Sequence, residues 1–365
     1  TIGGAFGSKL EAVTELVAAG AALKLKRPVK ITLSRKENMI ASRTRNGAYV
    51  KIKTGVDEKG KILASFFQMF TDTGAYVGSA MNVIGAMSHK LFKVYKFPLR
   101  YEGSPVLTNT PIAGAMRGYG SPQAFLAMHL HLNRIAKEYN VDPIDFLKEV
   151  VYKNTEVDSL AFGNPEIIAS IDKGMQLFKW DERKARISSQ DKNQDTIRGI
   201  GIGIGAHGSG VFPAHQDMIN LILRLNEDGT FNYWSASHDM GNGSLLAQKM
   251  IISEVVGTQP EEIEATRVST ETCPWNLGDY ASRGVFVEGE GAYKLADLMK
   301  NRILEVAQMM QGVDKGEMRI EDKIIYHKDK ILCSLSDIAL YAQNKLQEEI
   351  LVTNNHHSTW GRTSY

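Results

Sequence analysis

A chain of 365 residues with 43% hydrophobic residues is long enough for two domains with sizeable cores. Its 43 Lys plus Arg against 41 Asp plus Glu leave a net charge of +2, so bulk charge favours neither nucleic acid nor a membrane surface, and any anion site has to be local. Cys273 and Cys333 are too few for an iron–sulfur cluster, which takes about four thiolates; no apolar run reaches the roughly 18 residues of a membrane helix, no signal peptide is visible, and the cytoplasm is the expected compartment.

The chain opens on a glycine-rich turn, Thr1-Ile2-Gly3-Gly4-Ala5-Phe6-Gly7-Ser8-Lys9, followed by Leu10, Val13, Leu16, Val17 and Ala21 at helical spacing. Arg27-Pro28 stops that helix, and Val29-Lys30-Ile31-Thr32-Leu33 alternates as a strand. Two alternating runs within 48–76, around Asp57-Glu58-Lys59-Gly60, predict a hairpin. Ala115-Met116-Arg117-Gly118-Tyr119-Gly120-Ser121-Pro122-Gln123 then sets one arginine in a glycine-punctuated turn that opens a helix over about 123–139, with Phe125, Met128, Leu130, Leu132 and Ile135 apolar. Glycine removes the Cβ that keeps a ligand off the backbone, and N–H groups at a helix start attract anions, so an arginine there points to an oxyanion or phosphate. The plain alternative is a loop arginine paired with a surface carboxylate.

Residues 150–195 read as a polar, irregular connector, with Arg183-Lys184-Ala185-Arg186 and Ser188-Ser189-Gln190-Asp191-Lys192-Asn193. Gly199-Ile200-Gly201-Ile202-Gly203-Ile204-Gly205 alternates with period two: its isoleucines can line one face while the glycines admit another layer. It lacks the spacing of a dinucleotide fingerprint. A second hairpin spans 218–233 around Asn226-Glu227-Asp228-Gly229, followed by the turn Asp239-Met240-Gly241-Asn242-Gly243-Ser244 and a helix to about Val256. Residues 262–269 read as a strand. Asp279-Tyr280-Ala281-Ser282-Arg283 leads into a helix over 284–310 with Ala292, Leu295, Leu298, Ile303 and Val306 inward, and a hairpin at 324–333 and a helix from Ser336 follow. Glycine turns that enter helices can converge several N–H groups and one guanidinium on an anionic group. His207, His215 and His238 have no spacing that suits a helix-borne metal pair.

In order and spacing, the turns at 3–9, 115–123 and 240–243, with Asp279–Arg283 leading to Gly289-Glu290-Gly291-Ala292, resemble the GGGFGGK, AFRGFGxPQ and MGQG turns and a fourth cofactor segment of the xanthine dehydrogenase and aldehyde oxidase family. The resemblance covers essentially the whole chain. It implies an α+β fold of two elongated mixed α/β domains with the cofactor between them: residues 1–155 as a first molybdopterin-binding domain, 156–195 as connector and 196–365 as a second. It also implies an internal piece of a longer molybdenum-binding subunit that binds molybdenum–molybdopterin, plain or as the cytosine dinucleotide. Iron–sulfur clusters and FAD are expected on an iron–sulfur subunit and a flavin subunit or on other segments, in a complex that dimerises.

By that resemblance Gly4, Phe6, Gly7, Arg117, Met240, Gly241, Asn242, Ala281 and Ser282 are the cofactor-binding residues, with Asn242 standing where glutamine is usual. Family members hydroxylate a carbon beside a ring nitrogen, or an aldehyde carbon, with oxygen from water. Their proton-accepting glutamate lies in a GEP-type motif that this chain lacks, so no catalytic residue is assigned, and no side chain is expected to ligate the metal. On the substrate side, purine-oxidising members carry a glutamate where Leu10 stands. They also carry an arginine that Tyr95-Lys96-Phe97-Pro98 aligns with Ala86, Tyr119 replaces a stacking phenylalanine, and Ser209 and Gly210 lie where an aromatic packs on the substrate. Purines are therefore the disfavoured substrates. A non-catalytic scaffold of such a complex, and an unrelated phosphate or nucleotide binder, are the competing readings.

Overall fold

The computed structural model describes residues 2–153, 156, 166–190, 195–211, 215–358 and 362–364. They fall into two compact units, Ala5–Gly208 with Arg362–Tyr365, and Ser209–Gly361 with Thr1–Gly4. No helix among the described residues is long and apolar enough to cross a membrane.

In the first unit, strand β1 (Thr44–Arg45) is followed by the predicted hairpin, β2 (Ala48–Val56) antiparallel to β3 (Ile62–Asp72). The helix Ala80–Val94 then crosses over to β4 (Leu99–Val106), which runs parallel to β3. This helix sits so close to β4 that a Cβ on Gly103 would lie 2.1 Å from the Ile84 side chain. β5 (Ala113–Gly114) pairs with β1 and delivers the chain to the arginine turn, and the helix Ser121–Glu138 leaves it. Phe67 and Met69 of β3 meet Val83, Met87 and Leu91 of the crossover helix and Phe125, Met128 and Leu132 of the next in one buried core. The short strand β6 (His207–Ser209) lies where the chain passes from Gly208 of this unit to Ser209 of the other.

The second unit is built on a four-stranded sheet in the order β13-β7-β8-β9, with β7 (Asp217–Leu225), β8 (Phe231–Trp234), β9 (Ile263–Ala265) and β13 (Leu351–Ser358). Strict alternation along β7 sends Ile219, Leu221, Leu223 and Leu225 to one face. On them lies the helix Arg283–Gln311 with Val287, Ala292, Leu295, Met299, Ile303 and Val306 buried, so close that a Cβ on Gly291 would meet Ile219 at 2.9 Å. The helix Ser244–Val256 packs beside it. A small sheet of β10 (Met318–Glu321), β11 (Ile324–His327) and β12 (Lys330–Ser334) leads into the helix Leu335–Tyr341, started by a Ser334/Asp337 capping box.

The architecture is mixed α and β, as expected, but several local expectations change. The first helix begins at Glu15, not directly after the turn, and none of its residues is buried; Leu16 is 77% exposed and Val17 63%. The run at 29–33 joins no ladder. Instead Ser34 accepts from the Glu37 N–H and Glu37 from that of Ser34, and this reciprocal cap starts a helix at Arg35–Ala41. Asp142 caps a further helix, Pro143–Val150, with Pro143 at its first position. Within the expected connector, residues 157–165 and 191–194 lie outside the described residues, while Ile167–Phe178 and Trp180–Ser188 are helices. Ile202 and Ile204 pack on the first core, yet residues 199–205 form no strand, and nothing lies within 4 Å of where Cβ atoms on those glycines would be. The strand expected over 262–269 shrinks to Ile263–Ala265, and Leu130 and Leu298 face outward, 58% and 46% exposed.

Candidate functional site

In the first unit the two turns are stacked backbone on backbone. The Arg117 N–H donates to the Phe6 carbonyl at 2.8 Å, and Gly7, at φ +93°, leaves so little room that a Cβ would sit 3.0 Å from the Met116 nitrogen. Phe6 (φ 52°) and Tyr119 (φ 45°) hold left-handed backbone, uncommon for residues with side chains and a mark of a locally constrained turn. Phe6 is 63% exposed. Arg117 is exposed, and its guanidinium forms no hydrogen bond or ion pair among the described residues. The carbonyl side of the same turn is held from behind by cations: Arg45 Nη2 donates to the Arg117 oxygen at 2.6 Å, and Lys90 Nζ to those of Gly118 and Tyr119 at 2.8 and 2.7 Å.

Neither Arg45 nor Lys90 was singled out in the sequence. Lys90 carried a signal: it falls on the apolar stripe Val83, Met87, Val94 of its helix, and it is buried there. Its ammonium also lies 5.7 Å over the Tyr119 ring, so one face of that ring is already occupied. Burial lowers Lys90 to about 8 from the ordinary lysine value of 10.5. Between those two values the unfolded chain holds a proton that the folded chain has released, so the folded state gains stability as pH rises through that window. Against a Lys90→Met variant, the parent's urea midpoint is expected to improve from pH 8 to pH 10.5. A pH-independent difference between the two counts against the buried cation.

Leu10 lies 46% exposed in the bend after the first turn, and Ala86 is half-buried on the crossover helix. Glu11, one position past Leu10, pairs with Arg43, and residues 10–14 are not helical. Of the four turns only this first one does not run straight into a helix.

In the second unit, Asp239 Oδ1 accepts from the Gly241 and Gly243 N–H groups at 2.8 and 3.3 Å and shapes the Met240–Gly243 turn. Asn242 Oδ1 accepts from the Ser244 N–H at 3.4 Å, a turn closed two residues on, while Gly243 stands at the helix N-cap with no side-chain cap. Ala281 (φ 52°) and Ser282 (φ 54°) are both left-handed, and the Ala281 carbonyl accepts from the Gly210 N–H at 2.9 Å, which brings the Ser209–Gly210 segment to that turn. Asp279 joins the two turns: its Oδ2 accepts from the His238 N–H at 3.1 Å and lies 2.9 Å from His238 Nδ1. Behind them Glu288 accepts from Ser237 Oγ and from Gln248 Nε2, and burial pushes its carboxyl above the usual range. Glu290 faces Lys294 and His356 rather than these turns.

In the first unit, constrained glycine turns, a guanidinium unpartnered among the described residues and backbone packed too tightly for a Cβ fit a large anionic, many-acceptor ligand such as a phosphorylated pterin. Two models of the molybdopterin cofactor-binding domain match the chain, over residues 1–150 and 173–364. The xanthine dehydrogenase molybdenum-binding subunit of Escherichia coli O157:H7 is 28% identical over 353 residues, 93% of this chain and 46% of that one. The nicotinate dehydrogenase large molybdopterin subunit of Eubacterium barkeri is 36% identical over 146 residues, 40% of this chain and 34% of that one. Among solved structures, reconstituted CO dehydrogenase from Oligotropha carboxidovorans superposes with a TM-score of 0.83 at 19% identity, over 99% of this chain and 49% of that one. The chain thus spans about half the length of these relatives or less.

Proposed function

The chain belongs to the molybdopterin cofactor-binding domain family, and from that premise we propose that it forms the cofactor-holding part of a molybdenum hydroxylase acting on an N-heterocycle or aldehyde, or reducing a related aromatic substrate. The observation that carries this reading is the Arg117 turn: cations hold its carbonyls, while its own guanidinium has no partner among the described residues. In this reading Arg117 binds the cofactor's anionic groups, and Gly4, Phe6 and Gly7 supply close backbone. Met240, Gly241 and Asn242 line the pterin, and Ala281 and Ser282 keep room beside the metal. When bound, the group supplies a Lewis-acidic redox centre; the chain supplies orientation and preorganised donors. Leu10, Ala86, Tyr119, Ser209 and Gly210 line the substrate side, and electrons pass to iron–sulfur and flavin partners.

Molybdenum and pterin content of the purified full subunit tests the reading, and bound nucleotide in place of pterin overturns it. Arg117→Ala is expected to lower cofactor content or turnover at least tenfold, about 1.4 kcal/mol. Unchanged content and kinetics would remove Arg117 from the site.

A further inference from the structure

Arg283 is fully buried directly after the left-handed pair Ala281-Ser282, and its guanidinium spends itself entirely on protein. Nε donates to Asp217 Oδ1 at 2.7 Å. Nη1 faces Glu288 Oε1 and Asn276 Oδ1, both at 2.7 Å, and the Gly278 oxygen at 2.9 Å, while Nη2 donates to the Met218 oxygen at 2.6 Å. From this centre the 276–282 loop is bonded directly, and two further segments are each one residue away. Asp217 Oδ2 accepts from the Val211 N–H at 2.7 Å, and a Cβ on Gly210 would lie 2.9 Å from that same oxygen, so the 209–211 segment is drawn onto the carboxylate. Glu288 takes Ser237 Oγ, at the root of the Met240–Gly243 turn, and Asn276 Nδ2 at 3.1 Å. Asn276 and Gly278 begin the loop that carries Ala281 and Ser282.

A buried cation between two buried carboxylates is a poor way to gain stability, because an apolar cluster of equal volume would serve at least as well. What it gives in return is geometry, since a planar guanidinium with several charged partners admits one arrangement. We propose that Asp217, Arg283 and Glu288 form a positioning hub that sets the 209–211 segment, the 237–243 turn and the 276–282 loop as one body before any cofactor arrives. None of the three is a catalytic residue; they act through the loops they hold. The proposal rests on the reading that these loops hold a molybdopterin group.

Hydrogen–deuterium exchange of the full subunit in its complex, prepared without cofactor, tests the hub; molybdenum and pterin content of the loaded form is the second readout. Asp217→Asn disturbs directly only Val211 and Arg283, yet exchange is expected to rise at least tenfold in all three segments and cofactor content to fall at least tenfold. Arg283→Lys, which keeps the charge but not the fork, is expected to do the same. Leu295→Ala, a core truncation on the same helix, provides a general destabilisation for comparison and is expected to leave exchange in the three segments close to the parent's. The hub is overturned if the Asp217→Asn effect stays within 209–219, or if Leu295→Ala at equal loss of stability opens the three segments equally. Absence of pterin from the loaded parent would sink the functional reading instead and leave the exchange result to stand by itself.

Discussion

Arg283→Met is expected to lower the unfolding free energy by about 3–5 kcal/mol, the range seen when one partner of a buried ion pair is removed. Asp217 and Glu288 are both fully buried, and methionine would leave two carboxylates facing a thioether. For a unit of this size that loss corresponds to a melting temperature lower by roughly 6–20 °C. Calorimetry of parent and variant measures it, and a change of less than about 2 °C would mean that Asp217 and Glu288 do not depend on Arg283 for compensation.

The second large effect concerns substrate choice: the complete enzyme is expected to favour nicotinate-like rings, aldehydes or aromatic thioesters over xanthine and hypoxanthine. Purine recognition relies on polar groups that read ring nitrogens and oxygens, and the positions aligned with such groups hold Leu10 and Ala86. The neighbouring carboxylate of Glu11 does not compensate, because it is paired with Arg43. Each missing charge-assisted hydrogen bond costs roughly 1.5–3 kcal/mol, so two together lower kcat/KM by at least about a hundredfold. Steady-state assays with xanthine, nicotinate, an aldehyde and an aromatic thioester decide it, and a higher kcat/KM for xanthine than for the other three would sink the idea.

How much could be read beforehand differs by element. The hairpins around Asp57–Gly60 and Asn226–Gly229 were legible because their turns are local: the Gly60 and Gly229 N–H groups return to the Asp57 and Asn226 oxygens, and both glycines sit at positive φ. The helix Arg283–Gln311 was legible from its period, although Leu298 fits the pattern and still faces outward. The stretch 10–25 misled for the opposite reason, since its apolar spacing looks like a core face while none of its helical residues is buried. Local caps at Ser34 and Asp142 are visible as residue types, but the helices they start are only 7 and 8 residues long, too short for a period to stand out.

The cofactor turns were found because their glycines are required by backbone geometry, and a residue type that answers to φ and to close approach shows in the sequence itself: Gly7, Gly118, Gly120, Gly241 and Gly243 all hold positive φ. The residues that hold those turns were not found. Lys90 and Glu288 read as ordinary charges on helices, Arg45 as one more surface arginine, and Asp279 and Arg283 stood within the fourth cofactor segment without a role of their own. Their meaning depends on burial and on partners distant in sequence: Lys90 acts 28 and 29 residues ahead, Arg45 acts 72, and Arg283 reaches back 66 to Asp217. By itself, then, the sequence determined where the backbone turns and which of those turns can approach a ligand, because both follow from residue type over a few positions. Only the tertiary structure decided which charges stand behind them, because a charge becomes a positioning group when folding strips its water and leaves one set of partners to replace it.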